Sequence, residues 1–382
     1  MADDHELTTT PDAAPEHRAD GEPARERSPF HLSWPVIVFI VLALIVAVAS
    51  RIDLNYYAVE PGVAQSVQQF ITVPPDKGHP VERPVLLTDV EIGRVSALSY
   101  VYYHVHLFGF HRGTVLTPLL EITGGTPPSE FNGQGELEMS QAEAAAKAAA
   151  LRRLGYTVTA TASGAVVFAV FDGTAAWGVL SVGDVVNAVD GTPVTTADDF
   201  DKVMGRYKDG DTVHLSVLRG GSGPVTSVPL TLSSHVLDID GQRTTLSVGV
   251  ETEDQVDYAY PFPVSIDVTN IGGPSAGLAM TLGVIDTLSG GHLTGPTLVA
   301  CTGTIDDQGN VGDVGGVPQK TIAVERAGAT VFLVPPQEYK AAMSEDIPSL
   351  HIYAVSTLDQ ALADIEAHGG SVPPQPSATS AG

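Results

Sequence analysis

Asn270-Ile271-Gly272-Gly273-Pro274-Ser275-Ala276-Gly277 leads into an apolar run in which Leu278, Leu282 and Ile285 share one helical face. The spacing predicts a helix over 275–288, stopped by Gly290, with the Ser275 hydroxyl at its mouth among residues too small to cover it. Amide N–H groups at a helix start point outward without partners, and Gly272 and Gly273 let an incoming carbonyl come close. Further on, Gly315-Gly316-Val317-Pro318-Gln319-Lys320 puts an amine in the first turn of a second helix, expected over 318–327 with Gly328 as its stop. A serine hydroxyl is a poor nucleophile until a base takes its proton. Lysine can be that base only when neutral. Its ordinary pKa is about 10.4, and bringing it to ~7–8 disfavours the charged form by roughly 3–5 kcal/mol, which burial can do. The positive end of a helix works in the same direction. Alone, Ser275 reads as a helix cap in a glycine-rich turn and Lys320 as an exposed charge; together they point to acyl chemistry without histidine or metal.

The surrounding residues, 245–366, alternate between strand and helix patterns. Strands are expected over 264–268, 296–305, 331–334 and 351–355, and Ser356 with Asp359 is expected to cap a last helix reaching about residue 366. This is the pattern of a compact α/β domain. The strand over 296–305 contains Thr302 and the chain's one cysteine, Cys301, which reads as an inert core thiol beside Leu298, Val299 and Ala300.

The chain has 382 residues, room for two or three domains, and its 43% apolar content supports a sizeable core. Its formal charge of −26 argues against nucleic acid, whose phosphates need a basic face, and fits a solubilising surface. A single cysteine rules out an intrachain disulfide.

Residues 1–33 and 367–382 have the composition of disordered tails. Between Arg27 and Arg51 no residue carries formal charge, and Trp34 to Ser50 would span roughly 25 Å as a helix, near the lower limit for a bilayer core. A single transmembrane helix over 34–50 is therefore expected. The alternative is a cleaved signal peptide ending at Ala47-Val48-Ala49, against which stands the long acidic leader. Arg18, Arg25 and Arg27 precede the span and Arg51 follows it, which places the N-terminus in the cytoplasm and the later residues outside it.

Residues 52–155 read as a β-rich juxtamembrane region, with strands over 70–73, 85–90 and 97–105. His104 and His106 would then face one side of a strand, near His111, but no carboxylate or cysteine completes a metal-ligand spacing, and no metal is expected. Ser140 is expected to cap a helix over 141–154, with Glu143 and Lys147 paired and Gly155 as the stop.

Residues 156–232 carry their own punctuation. Strands are expected over 165–170, 185–189, 212–218 and 225–232, separated by Asp172-Gly173, Asp190-Gly191-Thr192-Pro193 and Asp209-Gly210-Asp211 turns. Thr196 with Asp199 caps a helix whose apolar stripe is Phe200, Val203, Met204 and Tyr207. This order, with Gly183-Asp184-Val185-Val186 and Val189-Asp190-Gly191-Thr192-Pro193-Val194, resembles a bacterial PDZ domain. Such domains bind an extended peptide by adding it to a sheet edge. The carboxylate-binding loop is not evident; Gly155 or the Ser163-Gly164 turn are the places for it.

Gly273-Pro274-Ser275-Ala276-Gly277, then Thr302-Gly303, then Gly315-Gly316 and Lys320, with Arg326-Ala327-Gly328, resembles the proteolytic domain of Lon proteases over about 120 residues. With the anchor and the PDZ-like module, the whole chain is similar to the bacterial membrane-anchored PDZ–Lon-domain family. That resemblance implies Ser275 as nucleophile, Lys320 as general base and Thr302 as the threonine bonded to the lysine. It also makes a homo-oligomer an expectation. Two departures stand out: Gly272 where Lon enzymes usually carry an acid, and Thr304 where they usually carry glutamate. No G-x-x-x-x-G-K-[ST] and no H-E-x-x-H occurs in these residues, so neither a nucleotide nor zinc is expected. The reading is a multidomain α+β protein: one N-terminal transmembrane helix, a β-rich region, a PDZ domain and a C-terminal α/β Lon-type domain. It would act as a membrane-anchored, ATP-independent serine endopeptidase on unfolded or extended segments, without cofactor. The competing class is a non-catalytic PDZ adaptor with a degenerate Lon-like domain.

Overall fold

The computed structural model describes residues 33–375, apart from 107–111, 124–125, 234, 240–241, 247 and 269–270. Of the expected tails, 1–32 and 376–382 lie outside these residues, as does His111, but 367–373 are not a loose tail: the Gly370 N–H donates to the Ile365 carbonyl at 3.0 Å and Arg153 donates to the Pro373 carbonyl at 3.3 Å. Residues 1–49 and 50–382 form two separate units.

In the first unit the apolar run forms helix α1, Trp34–Ala49, of 16 residues with none buried. The expectation of a transmembrane helix over 34–50 is corrected here: among the described residues no helix is long and apolar enough to cross a membrane. At ~1.5 Å per residue α1 is about 24 Å long, short of a ~30 Å hydrocarbon core.

The second unit begins with β1 (Asp53–Ser66), β2 (Ile71–Thr72) and β3 (Leu86–Ser96). Helices α2 (Ala97–His106) and α3 (Leu119–Thr123) flank β4 (Val115–Pro118), and α4 (Pro128–Arg153) follows. Next come β5 (Thr159–Val170), β6 (Val185–Val189), β7 (Thr192–Pro193), α5 (Ala197–Met204), β8 (Thr212–Leu218) and β9 (Val225–Thr231). A hairpin, β10 (His235–Ile239) with β11 (Gln242–Leu246), precedes β12 (Val250–Ala259) and β13 (Ser265–Ile266). The last part is α6 (Gly277–Ser289), β14 (Val299–Cys301), β15 (Thr304–Ile305), β16 (Val311–Gly312), α7 (Val317–Arg326), β17 (Val331–Val334), α8 (Tyr339–Met343), β18 (His351–Ala354) and α9 (Leu358–Ala367).

Two sheets organise these elements. One runs β18-β17-β14-β3-β1-β4, parallel where β14 meets β17 and β3, and antiparallel where β1 meets β3 and β4. Successive residues of its central strands point to opposite faces. Leu87, Cys301 and Leu333 enter the core with α4 and α6, while Leu86, Ala300 and Phe332 enter the core with α7 and α8. Covered on both sides, these strands read as continuous apolar runs. The other sheet, β12-β5-β6-β8-β9, closes over α5, whose Phe200, Val203 and Met204 are buried among Val167, Val186, Val213 and Leu215. Thr196 caps α5 by accepting from the Asp199 N–H at 3.1 Å.

Several expectations change. The region 52–155 is not a separate β-rich layer: β1, β3 and β4 extend the sheet of the last hundred residues, and α4 alone is 26 residues long. Residues 97–106 form α2 rather than a strand. Ser96 and Ser99 bond each other's backbone N–H at its start, and the Tyr100 and His104 rings lie 4.1 Å apart one turn on. His104 Nδ1 lies 2.9 Å from the Tyr100 carbonyl, and no metal cluster occurs among the described residues. Ser140 is interior to α4, which starts after Pro127. Thr357, not Ser356, caps α9, accepting from the Gln360 N–H.

Candidate active site

Ser275 lies in a tight turn, Pro274–Ala276, between β13 and α6. Gly273 has φ 85° and ψ 158°, a backbone that a side chain would strain. Its N–H donates to the Gly135 carbonyl of α4 at 2.9 Å, so α4 holds the approach to the serine. Gly277 opens α6 where the chain passes β15 closely: a Cβ there would stand 2.9 Å from the Ile305 nitrogen. Ser275 is half-buried and Gly272 exposed.

Thr302 arrives from the opposite side. The apolar run expected as one strand over 296–305 breaks into β14 and β15, and Thr302 sits in the break. Its N–H donates to the Leu333 carbonyl at 3.0 Å, keeping it in line with β17. The next residue, Gly303, donates its N–H to the Ser275 carbonyl at 3.0 Å and accepts from the Leu278 N–H at 3.0 Å. The segment 302–303 is thus laced to the serine turn.

Lys320 comes from the first turn of α7, its N–H donating to the Gly316 carbonyl at 3.0 Å. It is 2% exposed, among the largest fully enclosed side chains of the protein. Its Nζ donates to Thr302 Oγ1 at 3.1 Å, and Thr302 Oγ1 donates to the Ser275 carbonyl at 3.3 Å. Burial lowers the Lys320 pKa to about 8, against the smaller opposing pull of Asp89 and Glu338. Because the Thr302 proton is given to the Ser275 carbonyl, the threonine oxygen takes an amine N–H and not the amine lone pair. A neutral Lys320 therefore keeps that lone pair available.

The structure brings Lys320, Thr302 and the Ser275 main chain into one hydrogen-bonded series, and sets Gly272 and Gly273 against Gly135. Sequence reasoning missed α4's part. The carboxyl of Glu138 stands 3.9 Å from where a Gly273 Cβ would be, and burial with the nearby Glu253 charge raises its pKa to about 7. Gly135, interrupting a helical run, was the available signal: its carbonyl takes the Gly273 N–H, whereas Gly133 lies against Val182. Asp89 and Glu338, the charges facing Lys320, carried no signal at all. Cys301 is fully buried and burial raises its thiol pKa, so it is a core residue. A cleft of about 370 Å³ lined by Tyr56, Tyr100, Tyr103 and Leu116 holds none of Ser275, Thr302 and Lys320. The site is identified by its chemistry and not by cavity size.

Residues 264–365 match the Lon protease (S16) C-terminal proteolytic domain, and residues 152–230 match the PDZ domain. Lon protease 1 of Sorangium cellulosum is 38% identical over 96 residues, 24% of this chain and 11% of that protein. The Lon protease of Koribacter versatilis is 37% identical over 95 residues, again 24% and 11%. This chain therefore spans about a tenth of the length of these relatives. Among solved structures, the PDZ domain of an SdrC-like protein from Listeria monocytogenes is 23% identical, covering 24% of this chain and 87% of that one at a TM-score of 0.19. The chain accordingly joins a PDZ domain to a C-terminal Lon-type proteolytic domain.

Proposed function

We infer that this protein is a serine endopeptidase in which Ser275 is the nucleophile and Lys320 its general base. The observation that carries this reading is the enclosed Lys320 amine, bonded to Thr302, whose hydroxyl rests on the Ser275 carbonyl. Neutral Lys320 takes the Ser275 Oγ proton as the oxygen attacks the scissile carbonyl. The resulting ammonium returns that proton to the leaving amine, and an acyl-enzyme remains. The amine, neutral again, deprotonates a water that attacks the ester, and the proton goes back to Ser275. N–H groups at the start of a helix are free of partners inside it, and those of the serine turn, that of Ser275 among them, would meet the oxyanion. The Gly273 N–H is not one of them, since Gly135 already accepts it. None of these steps draws on a nucleotide, and this chain's residues carry no P-loop, which supports ATP-independent cleavage.

The substrates in this reading are extended or unfolded segments, and the PDZ domain is the module to receive them. Membrane association rests on α1, in which Trp34 is 77% and Phe39 71% exposed with no buried residue. A helix apolar all round needs a non-aqueous partner. Co-sedimentation of the full chain with lipid vesicles, lost on deleting residues 34–49, is the matching readout, with the catalytic residues expected outside the cytoplasm.

The test of the activity is Ser275→Ala assayed on an unstructured protein reporter. Cleavage should fall by at least ~10³-fold while the protein keeps its fold. Equal turnover by wild type and variant would leave a PDZ adaptor whose Lon-type domain is a scaffold.

A further inference from the structure

The strand at one edge of the PDZ sheet belongs to neither matched domain. The PDZ match ends at residue 230 and the Lon-type match begins at 264, while β12 spans Val250–Ala259. β12 nevertheless runs antiparallel along the outer edge of β5, from Val250 opposite Val170 to Ala259 opposite Thr159. The helix α5 lies alongside β5, β6 and β12. Its first N–H, that of Ala197, donates to Asp254 Oδ1 of β12 at 2.8 Å. A carboxylate at a helix N-terminus is favoured by the helix dipole and satisfies an orphan donor. An extended peptide added to a sheet edge makes the same kind of ladder. β12 thus already makes, within the chain, the bonds a captured peptide would make.

We propose that β12 is an internal occupant of the peptide-receiving edge of the PDZ domain, so that an extended segment enters there only by displacing it. The inference rests on the peptide-capture reading above and names the place and the competitor. It also names the chemistry of the incoming segment. The segment must be extended over several residues, and it must offer a carboxylate where Asp254 stands, to take over the Ala197 N–H. Two features make β12 displaceable. Register shifts between Glu251 and Thr252 and between Gln255 and Val256 divide its ladder into short runs. Its Glu251, Glu253, Asp254 and Asp257 are exposed, and its apolar anchors are Val250 at one end, in the core under the PDZ sheet, and Tyr258 at the other.

The experiment uses the full chain with Thr161→Cys and Asp257→Cys, exposed residues directly opposite each other in the register. Cross-strand partners lie within disulfide reach, and the native Cys301 is enclosed and stays out of the exchange. The probe is a dye-labelled peptide of residues 250–259, read by fluorescence anisotropy. The reduced variant and wild type should bind it, the oxidised variant at least tenfold more weakly, and added reductant should restore binding. The probe with asparagine in place of its Asp254 should bind several-fold more weakly. A second variant, Asp254→Ala, loosens β12 without any crosslink and should bind the probe several-fold more tightly than wild type. Equal binding by oxidised and reduced forms, or no gain from Asp254→Ala, overturns the proposal while leaving peptide capture to another edge of the sheet. Absence of binding in every form, Asp254→Ala included, overturns both.

Discussion

Two almost completely enclosed charged side chains, one in each domain, are treated in opposite ways. In the PDZ domain Asp184 is 3% exposed and fully served: it accepts from Arg219, from the Ser181 N–H at 3.0 Å and from the Gly220 N–H at 3.1 Å. In the Lon-type domain Lys320 is 2% exposed, has no ion pair among the described residues, and meets one neutral hydroxyl at 3.1 Å. The first arrangement satisfies a charge and ties two turns together. The second withholds compensation from a charge, so the side chain is driven toward its neutral form. A buried ionisable group that is well paired serves the fold, and one left short of partners is available for chemistry.

The largest effect should come from replacing Lys320 by a side chain of similar length that has no charge. Lys320→Met should lower cleavage of an unstructured reporter by at least ~10³-fold. It should also raise stability at pH 7. In the folded protein the Lys320 pKa is about 8 against 10.5 for the free group, so below pH 8 the buried ammonium costs about 3 kcal/mol. That cost fades as pH rises from 8 to 10.5, and the stability gain of Lys320→Met, measured by urea unfolding, should fade with it. Lys320→Arg should be inactive too, because a guanidinium is never neutral.

The opposite outcome is expected in the PDZ domain. Asp184→Ala should destabilise that domain by roughly 2–3 kcal/mol, because two backbone N–H groups and Arg219 lose their shared acceptor. Denaturant unfolding should show the loss, with the chemistry at Ser275 retained in the fraction that stays folded. Replacement of both buried charges with the same sign of stability change would erase the comparison.

A smaller effect should follow at Thr302, which connects the lysine to the serine turn. Thr302→Val keeps the shape and removes the oxygen that accepts from Lys320 and donates to the Ser275 carbonyl. Activity should fall by roughly tenfold or more through misplacement of the amine. The midpoint of its pH–rate profile should move down, because an acceptor that favours the ammonium is gone.

The same contrast separates what was legible in the sequence from what was not. The PDZ domain pairs strands close in the chain and marks its turns with Asp-Gly, so 185–189 and 212–218 were readable to the residue, as was the Thr196 cap. The Lon-type sheet instead sets Cys301 beside Leu87 and Ala300 beside Leu86, and no local pattern announces that pairing. Its helix over the serine segment and the α7 start could be read from apolar spacing, glycine and proline. The break at Thr302-Gly303 was not read: Gly303 is its one local signal, the apolar residues 298–301 and Ile305 flank it, and the lacing to Ser275 is what interrupts the strand. Residues 97–106 misled because Val101, Tyr102, Tyr103 and Val105 favour strands, while the Ser96–Ser99 cap and the Tyr100–His104 contact decide for a helix. The long α4 was cut short by its own glycines, Gly133 and Gly135, which lower helix propensity where the helix passes Val182 and the Gly272-Gly273 turn.

The central claim concerns the charge of one amine, and its titration tests it directly. With lysine side chains isotope-labelled and Lys320→Met used to assign the signal, NMR should follow the Lys320 carbon next to the amine through a midpoint of about 8, and kcat/KM should rise about tenfold per pH unit below that point and level off above it. A midpoint near 10.5, with activity indifferent to pH between 6 and 9, would contradict the account.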